Sequence, residues 1–114
     1  MANAIRGELN IELNGSTYKT KLNLNSIMVL ERNLGRSLIK TTQDLTNGDL
    51  PLTELIQVLQ TALKGGGNEL SDADIKKLVW DAGYVNSLGA VANILTNSLM
   101  GGDEDEGKPE AVNQ

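Results

Sequence analysis

Residues 5–24, IRGELNIELNGSTYKTKLNL, alternate apolar and polar side chains on both sides of an Asn14-Gly15 pair. Alternation with a period of two is typical of a β-strand with one buried face. Asn-Gly is the preferred pair for a two-residue type I′ turn, because both turn positions require a positive φ angle. The sequence therefore predicts an N-terminal β-hairpin whose register is set by its turn. The predicted cross-strand pairs are Leu13 with Ser16, Ile11 with Tyr18, Leu9 with Thr20, Gly7 with Leu22 and Glu8 with Lys21.

The spacing of apolar residues changes to three and four after the hairpin, which is typical of amphipathic helices. Asn25 or Ser26 is predicted to cap the first helix, and Gly35 and Gly83 are predicted to follow the ends of two helices. The sequence predicts a first helix that ends or is interrupted near Gly35, a short helical piece around residues 37–45, and a helix that begins near Pro51 and ends at the glycines. A short helix from Asp72 to about Ala82 and a last helix within residues 84–102 follow. The sequence therefore predicts an α+β fold in which the N-terminal β-hairpin packs on a bundle of about four helices.

The segment LKGGGNELSDAD, residues 63–74, combines three glycines with three acids and has three interpretations. A Walker-type phosphate loop requires a preceding strand and a lysine after the glycines, whereas here a helix and Lys64 precede them. A calcium loop requires a central glycine and a distant glutamate that this segment does not supply. A joint between two helices fits, with Gly65 in a left-handed conformation and Ser71 as the next cap. The negative charges of Asp72 and Asp74 then lie near the N-terminus of the next helix, where they interact favourably with the positive end of the helix dipole.

The composition removes most enzyme chemistries. The chain has no cysteine and no histidine, so thiolate and imidazole catalysis and the usual transition-metal ligands are absent. We expect no enzyme, no cofactor and no metal, and a small hydrolase built on Asp72, Asp74 and Lys76 is the weakest alternative. With no phenylalanine, one tryptophan and two tyrosines, the chain lacks an aromatic platform for nucleic acid. No apolar run approaches the length of about 18 to 20 residues that a membrane-spanning helix needs, and we expect no membrane partner.

The last part of the chain, GGDEDEGKPEAVNQ, contains five acids and one lysine. This composition predicts a disordered acidic tail over residues 101–114, after a single α+β domain over residues 1–100. A solubilising appendage and a docking tail for a basic partner both fit such a charge run.

Several segments resemble one known family in their order and spacing. They are GELNIELNG, LNLNSIMVLERNLGRSL, LIQVLQTALKGGG, LSDADI and Gly83 before the last amphipathic helix. Across residues 7–99 the chain resembles the small tail assembly chaperones of long-tailed phages and of phage-derived gene transfer agents. The resemblance implies a non-enzymatic chaperone that binds the tape-measure protein and helps tail-tube assembly. It also implies a second partner, the tail-tube protein, through a C-terminally extended product.

The same resemblance implies a location in the host cytoplasm during assembly and absence from the mature virion. A different class of protein stays open as the alternative: a structural tail or head-tail joining subunit that is retained in the virion. Mass spectrometry of purified virions distinguishes the two classes.

The apolar helix faces are the expected contact surface. The final helix carries more apolar residues than one stripe buries, so we expect a homo-oligomer. The candidate residues for partner contact or self-association are Leu55, Leu59, Leu88, Val91, Leu95 and Leu99, which are equally the expected core positions. The predicted structural turns and caps are Asn14, Gly15, Gly35, Gly65, Ser71 and Gly83.

Overall fold

The computed structural model describes residues 7–100 of the chain, and the predicted acidic tail lies outside them. In the described part, a two-stranded antiparallel sheet precedes five helices. The elements are β1 (Glu8–Leu13), β2 (Ser16–Lys21), α1 (Leu24–Leu34), α2 (Leu38–Thr46), α3 (Leu52–Gly65), α4 (Asp72–Ala82) and α5 (Tyr84–Met100). The predicted α+β fold is confirmed. Five helices form where about four were expected, because the short second segment is a complete helix.

The hairpin turn has the backbone conformation that its sequence predicts. Asn14 has a φ angle of 53° and Gly15 a φ angle of 81°, and a type I′ turn requires both to be positive. All the predicted cross-strand pairs are observed. On the outer face, Lys21 Nζ lies 3.6 Å from Glu8 Oε2. The turn therefore determines which face of the hairpin is apolar.

The inner face of the hairpin packs on two helices. β1 lies against α5 and β2 lies against α3, while α1 and α4 pack on α3 and α2 packs on α5. Every buried hydrophobic side chain of the described part is aliphatic, as expected for a chain without phenylalanine. These residues are Ile11, Leu13, Leu22, Leu30, Leu38, Leu50, Leu55, Val58, Leu59, Ala62, Leu63, Ile75, Val79, Ala90, Val91, Ile94 and Leu95.

Three of the predicted caps are observed. Gly35 follows α1 with a left-handed φ angle of 77°, and Gly83 follows α4 with a φ angle of 92°. Ser71 and Asp74 form a reciprocal capping box at the start of α4, each accepting a backbone N–H of the other at 3.0 Å. The backbone N–H of Ser71 stabilises the ionised carboxylate and so lowers the pKa of Asp74 below its usual value.

The cap predicted for α1 is wrong by two or three residues. The helix begins at Leu24, directly after the hairpin, so the capping position falls on Asn23 rather than on Asn25 or Ser26. Asn23 Oδ1 accepts the backbone N–H of Ser26 at 2.8 Å. The physical reason is that Asn23, two residues after the end of β2, already supplies a capping side chain, so the helix begins at the next residue.

The left-handed conformation predicted for Gly65 is also wrong. Gly65 is the last helical residue of α3, Gly66 has a φ angle of −79°, and the positive φ angle of 89° falls on Gly67. A Cβ atom on Gly65 would lie 2.3 Å from the carbonyl oxygen of Lys21, and one on Gly66 would lie 2.0 Å from that of Lys19. These two glycines are therefore required for close approach to β2. We call this contact the glycine seam.

The glycine seam covers the outer edge of β2. The N–H of Leu22 donates to the Gly7 carbonyl, so the alternate residues Lys19 and Lys21 belong to non-hydrogen-bonded pairs and point their carbonyl groups away from β1. Asn68 Nδ2 donates to the outward carbonyl of Lys19 at 2.6 Å. The segment after α3 thus shields an edge that would otherwise expose free backbone groups.

A charged cluster ties the turn between α1 and α2 to α3. Arg36 forms salt bridges with Asp44 of α2 and Glu54 of α3. The hydrogen bond from Arg36 is the main cause of the lowered pKa of Asp44. The cluster holds two short helices against α3, which carries five residues of the core.

Candidate interaction surface

The six residues expected to form a contact surface lie in or against the core of the single chain. The fully buried ones are Leu55, Leu59, Val91 and Leu95, and the partly buried ones are Leu88 and Leu99. The predicted turn and cap residues sit at the ends of separate elements and do not gather into a site. Exposed apolar side chains must therefore be sought elsewhere on the molecule.

An open apolar cleft of about 440 Å³ lies where α3, α4 and α5 meet, and we call it the Trp80 cleft. Trp80 is 86% exposed, so its indole is not part of the core. Val85, which follows the cleft on α5, is 78% exposed. The residues that line the cleft are Leu52, Ile56, Lys76, Val79, Trp80, Gly83 and Tyr84.

The junction between α4 and α5 determines the form of this cleft. Gly83, with its positive φ angle, ends α4, and α5 begins at the next residue. The hydroxyl of Tyr84 donates to the carbonyl oxygen of Leu50 at 3.2 Å, which holds the ring at the wall of the cleft. Trp80 lies off the buried stripe of α4 and so faces outward. One face of α3, one face of α4 and the junction between α4 and α5 therefore form the cleft together.

The Trp80 cleft has a positive charge in its wall. Lys76 lines the cleft and forms no salt bridge with any other described residue. The neighbouring Lys77 instead pairs with Asp81 at 2.8 Å, and this hydrogen bond raises the pKa of Lys77. The cleft therefore suits an apolar partner that also carries a carboxylate.

A second exposed apolar surface lies at the start of α1. Leu24 is 72% exposed and Met28, one turn later, is 53% exposed, with the half-buried Ile27 between them. We call these three residues the α1 patch. Leu24 and Ile27 also line a small pocket together with Ser98, which lies near the end of α5.

Two carboxylates after α3, Asp72 and Asp74, take part in local structural contacts. Asp72 accepts a hydrogen bond from Lys64 Nζ at 2.7 Å, which lowers the pKa of Asp72, and Asp74 belongs to the capping box. Within residues 7–100, no group of three or more acidic side chains lies close enough to hold a metal ion. No helix in this part of the chain is long and apolar enough to span a membrane.

Sequence reasoning missed Trp80, Tyr84 and the α1 patch as surface residues. A signal existed for Trp80, because it is an apolar residue outside the inward stripe of its own helix. Met28 has the same property in α1, where the buried stripe runs through Leu30. An apolar residue off its stripe is a better indicator of an exposed surface than the stripe itself.

Comparison with known proteins identifies the family of this chain. A family model described as "Phage tail tube protein, GTA-gp10" matches residues 6–101, from the start of the hairpin to the end of α5. Neither a curated protein nor a solved structure matches the chain.

Proposed function

The chain belongs to the phage tail tube protein family GTA-gp10, and from that membership we propose that it is a structural subunit of a phage tail that stays in the finished particle. The observation that carries this proposal is the extent of the match. It includes every helix and strand that the structure describes, so no described element is left over for a separate activity.

The chaperone role expected from the sequence is wrong, because the matched family is described as a tail tube protein. The predicted relation to tail proteins of phages and gene transfer agents is confirmed. The alternative, a structural subunit retained in the virion, fits the description of the family better than a chaperone does. Tape-measure binding, and contact with a tail-tube protein through an extended product, stay predictions that this proposal does not require. Absence from the mature virion followed from the chaperone role, and the structural role predicts the reverse.

The distribution of apolar surface supports a structural role. A subunit of a tube must contact copies of itself, and exposed apolar surface provides the free energy for that contact. Trp80 alone offers on the order of 200 Å² to a partner. Covering that area at about 25 cal/mol per Å² contributes roughly 5 kcal/mol before the entropy of association is subtracted.

The test is the copy number of this protein in purified particles. Particles are purified from cells that produce them, and the chain is quantified by mass spectrometry against another structural tail protein. We expect many copies per particle, with a number that scales with tail length. A chain that is abundant in the producing cells and missing from purified particles would refute the proposal.

The copy number also separates two structural roles. A head-tail joining subunit forms one ring per particle, so its copy number is small and independent of tail length. A tube subunit repeats along the whole tail. Antibody labelling along the tail, as opposed to labelling at one end, gives an independent measurement of the same difference.

A matched pair of variants links the particle to the structure. In cells that lack the native gene, Trp80→Gln is expected to give no complete tails, because it removes the largest exposed apolar side chain. Ile39→Gln, which alters an exposed apolar residue of α2 away from the Trp80 cleft, is expected to restore tails normally.

A further inference from the structure

The two exposed apolar surfaces are separate. Tyr84 lines the Trp80 cleft and Ser98 lines the pocket beside the α1 patch, and both residues belong to α5. At 1.5 Å per residue, the helix places them about 21 Å apart. A single partner helix of ordinary length therefore does not cover both surfaces, and each needs its own contact.

The two surfaces differ in form. The Trp80 cleft is concave, and its walls come from three helices. The α1 patch presents residues at i, i+3 and i+4 on one side of a helix, and Leu24 and Met28 are more than half exposed. This spacing is the one by which an amphipathic helix anchors in an apolar groove. The unbranched side chain of Met28 adapts easily to such a groove.

The charges near the two surfaces are complementary. Lys76 in the wall of the Trp80 cleft has no salt-bridge partner among the described residues. Four consecutive acids, residues 103–106, begin five positions after Ser98, which adjoins the α1 patch. The sequence thus places a run of acids close after the end of α5 that adjoins the α1 patch, and Lys76 carries the opposite charge.

We propose that the α1 patch of one copy docks in the Trp80 cleft of the next copy. This contact is heterologous, because the two partners use different surfaces, and each copy keeps one free surface of each kind. Heterologous contacts generate rings when the rotation closes and helical filaments when it does not. The inference rests on the proposed structural function and names the surfaces by which the subunit would repeat.

The test is a mixing experiment with full-length protein and two kinds of variant. Trp80→Gln disables the cleft, and Leu24→Gln with Met28→Gln disables the α1 patch. All three positions are exposed, and glutamine is a good helix former, so both variants are expected to keep the fold. Circular dichroism and melting temperature verify that they do. Ile39→Gln serves as the control for the loss of an exposed apolar side chain outside both surfaces.

Sedimentation velocity is measured on each protein alone and on a 1:1 mixture. Wild type and Ile39→Gln are expected to form species larger than a dimer at tens of micromolar. Each disabled variant alone is expected to be a monomer. The mixture is expected to form a dimer and nothing larger, because only one intact cleft and one intact patch remain to pair.

Three results would overturn the proposal: a monomeric wild type, a disabled variant that still dimerises by itself, or a mixture that stays monomeric. The second result would indicate a symmetric contact in which like surfaces pair. Because no particles are involved, this test is independent of the copy-number test. If the protein assembles heterologously in solution and is missing from the particles, the contact stands and the structural role is refuted. If the protein is present in the particles and the mixing experiment fails, the structural role stands and the contact is refuted.

The charge contribution has its own test. Lys76→Glu is expected to weaken the association about two- to fivefold at low salt, as for an exposed ion pair. The difference is expected to vanish at high salt, where such pairs are screened. A weakening that persists unchanged at high salt would contradict the assignment of the acids to Lys76.

Discussion

The glycine seam and the Trp80 cleft lie at opposite ends of α3 and show opposite kinds of packing. At the seam, two backbones approach so closely that a single Cβ atom would lie 2.0 Å from a carbonyl oxygen. At the cleft, the largest side chain of the protein is 86% exposed. The seam leaves no space for a further atom, whereas the cleft leaves space for a partner. The single chain therefore fills the space at the hairpin, whereas it leaves apolar surface uncovered at the junction of α4 and α5.

Replacing a core residue is expected to have the largest effect and tests the boundary between core and surface. Leu95 is fully buried, so Leu95→Ala removes packed side-chain atoms and leaves a cavity. We expect the free energy of unfolding to fall by about 3 kcal/mol. Chemical denaturation measures it. A loss below about 1 kcal/mol would mean that this side of α5 is a contact surface after all.

The next largest effect is expected at the glycine seam. Gly66→Ala places a methyl group against the Lys19 carbonyl, and backbone must move to accept it. We expect a loss of about 2 kcal/mol in the free energy of unfolding. Gly89→Ala is the matched control, because a Cβ atom at this helical position meets nothing within 4 Å. The control is expected to gain about 0.5 to 1 kcal/mol, since alanine favours the helix over glycine.

The capping box on the far side of the seam is expected to have a smaller, pH-dependent effect. Ser71→Ala removes an N-cap and is expected to cost about 1 kcal/mol at pH 7. The pKa of Asp74 is lowered in the folded state, so its contribution is present above the unfolded pKa and is lost as the pH falls through the folded pKa.

Melting temperatures between pH 7 and pH 2 test this linkage. Wild type is expected to lose stability as the pH drops below about 4, where carboxylates of ordinary pKa begin to protonate. Ser71→Ala is expected to lose slightly less over the same range, because it removes the side-chain hydrogen bond that helps to lower the pKa of Asp74 and keeps the backbone N–H that is the larger cause. An NMR titration in which Asp74 has the same pKa in both proteins would rule out this cause.

The smallest effect on stability is expected at the cleft. Trp80→Ala removes a large side chain that is mostly exposed, and we expect the free energy of unfolding to change by less than about 0.5 kcal/mol. The same variant is expected to lose self-association. A loss of stability as large as that of Leu95→Ala would show that the indole contributes to folding and would remove the contrast between the two regions.

Local sequence signals predicted the elements well. The Asn14-Gly15 turn and the alternation around it predicted the hairpin and its pairing, because a two-residue turn leaves one register. The capping residues predicted where α4 begins, because Ser71 and Asp74 satisfy each other's backbone groups within one turn. These signals act over a few residues, and their outcome does not depend on the rest of the chain.

Features that depend on distant residues were not predictable. The role of Gly65 depends on Lys21, which lies far away in the sequence and approaches only in the folded protein. Likewise, a helical stripe shows which face is apolar, whereas other elements determine how much of that face is covered. The sequence therefore left Leu59 and Leu95 open between core and contact surface, and they are buried, while Trp80 was not expected on the surface and is exposed.

One hydrogen bond affects how this protein can be tagged or rearranged. The backbone N–H of Gly7 donates to Oδ1 of Asn97 at 2.9 Å, and the N–H of Leu22, beside the α1 patch, donates to the carbonyl of Gly7. The described fold thus begins and ends at one place, next to a proposed contact surface. A fusion partner joined directly to Gly7 or Met100 is expected to block that surface, whereas one inserted at the exposed turn after α2, near Gly48, leaves it free. The same proximity makes the protein a good candidate for circular permutation, with new ends at that turn.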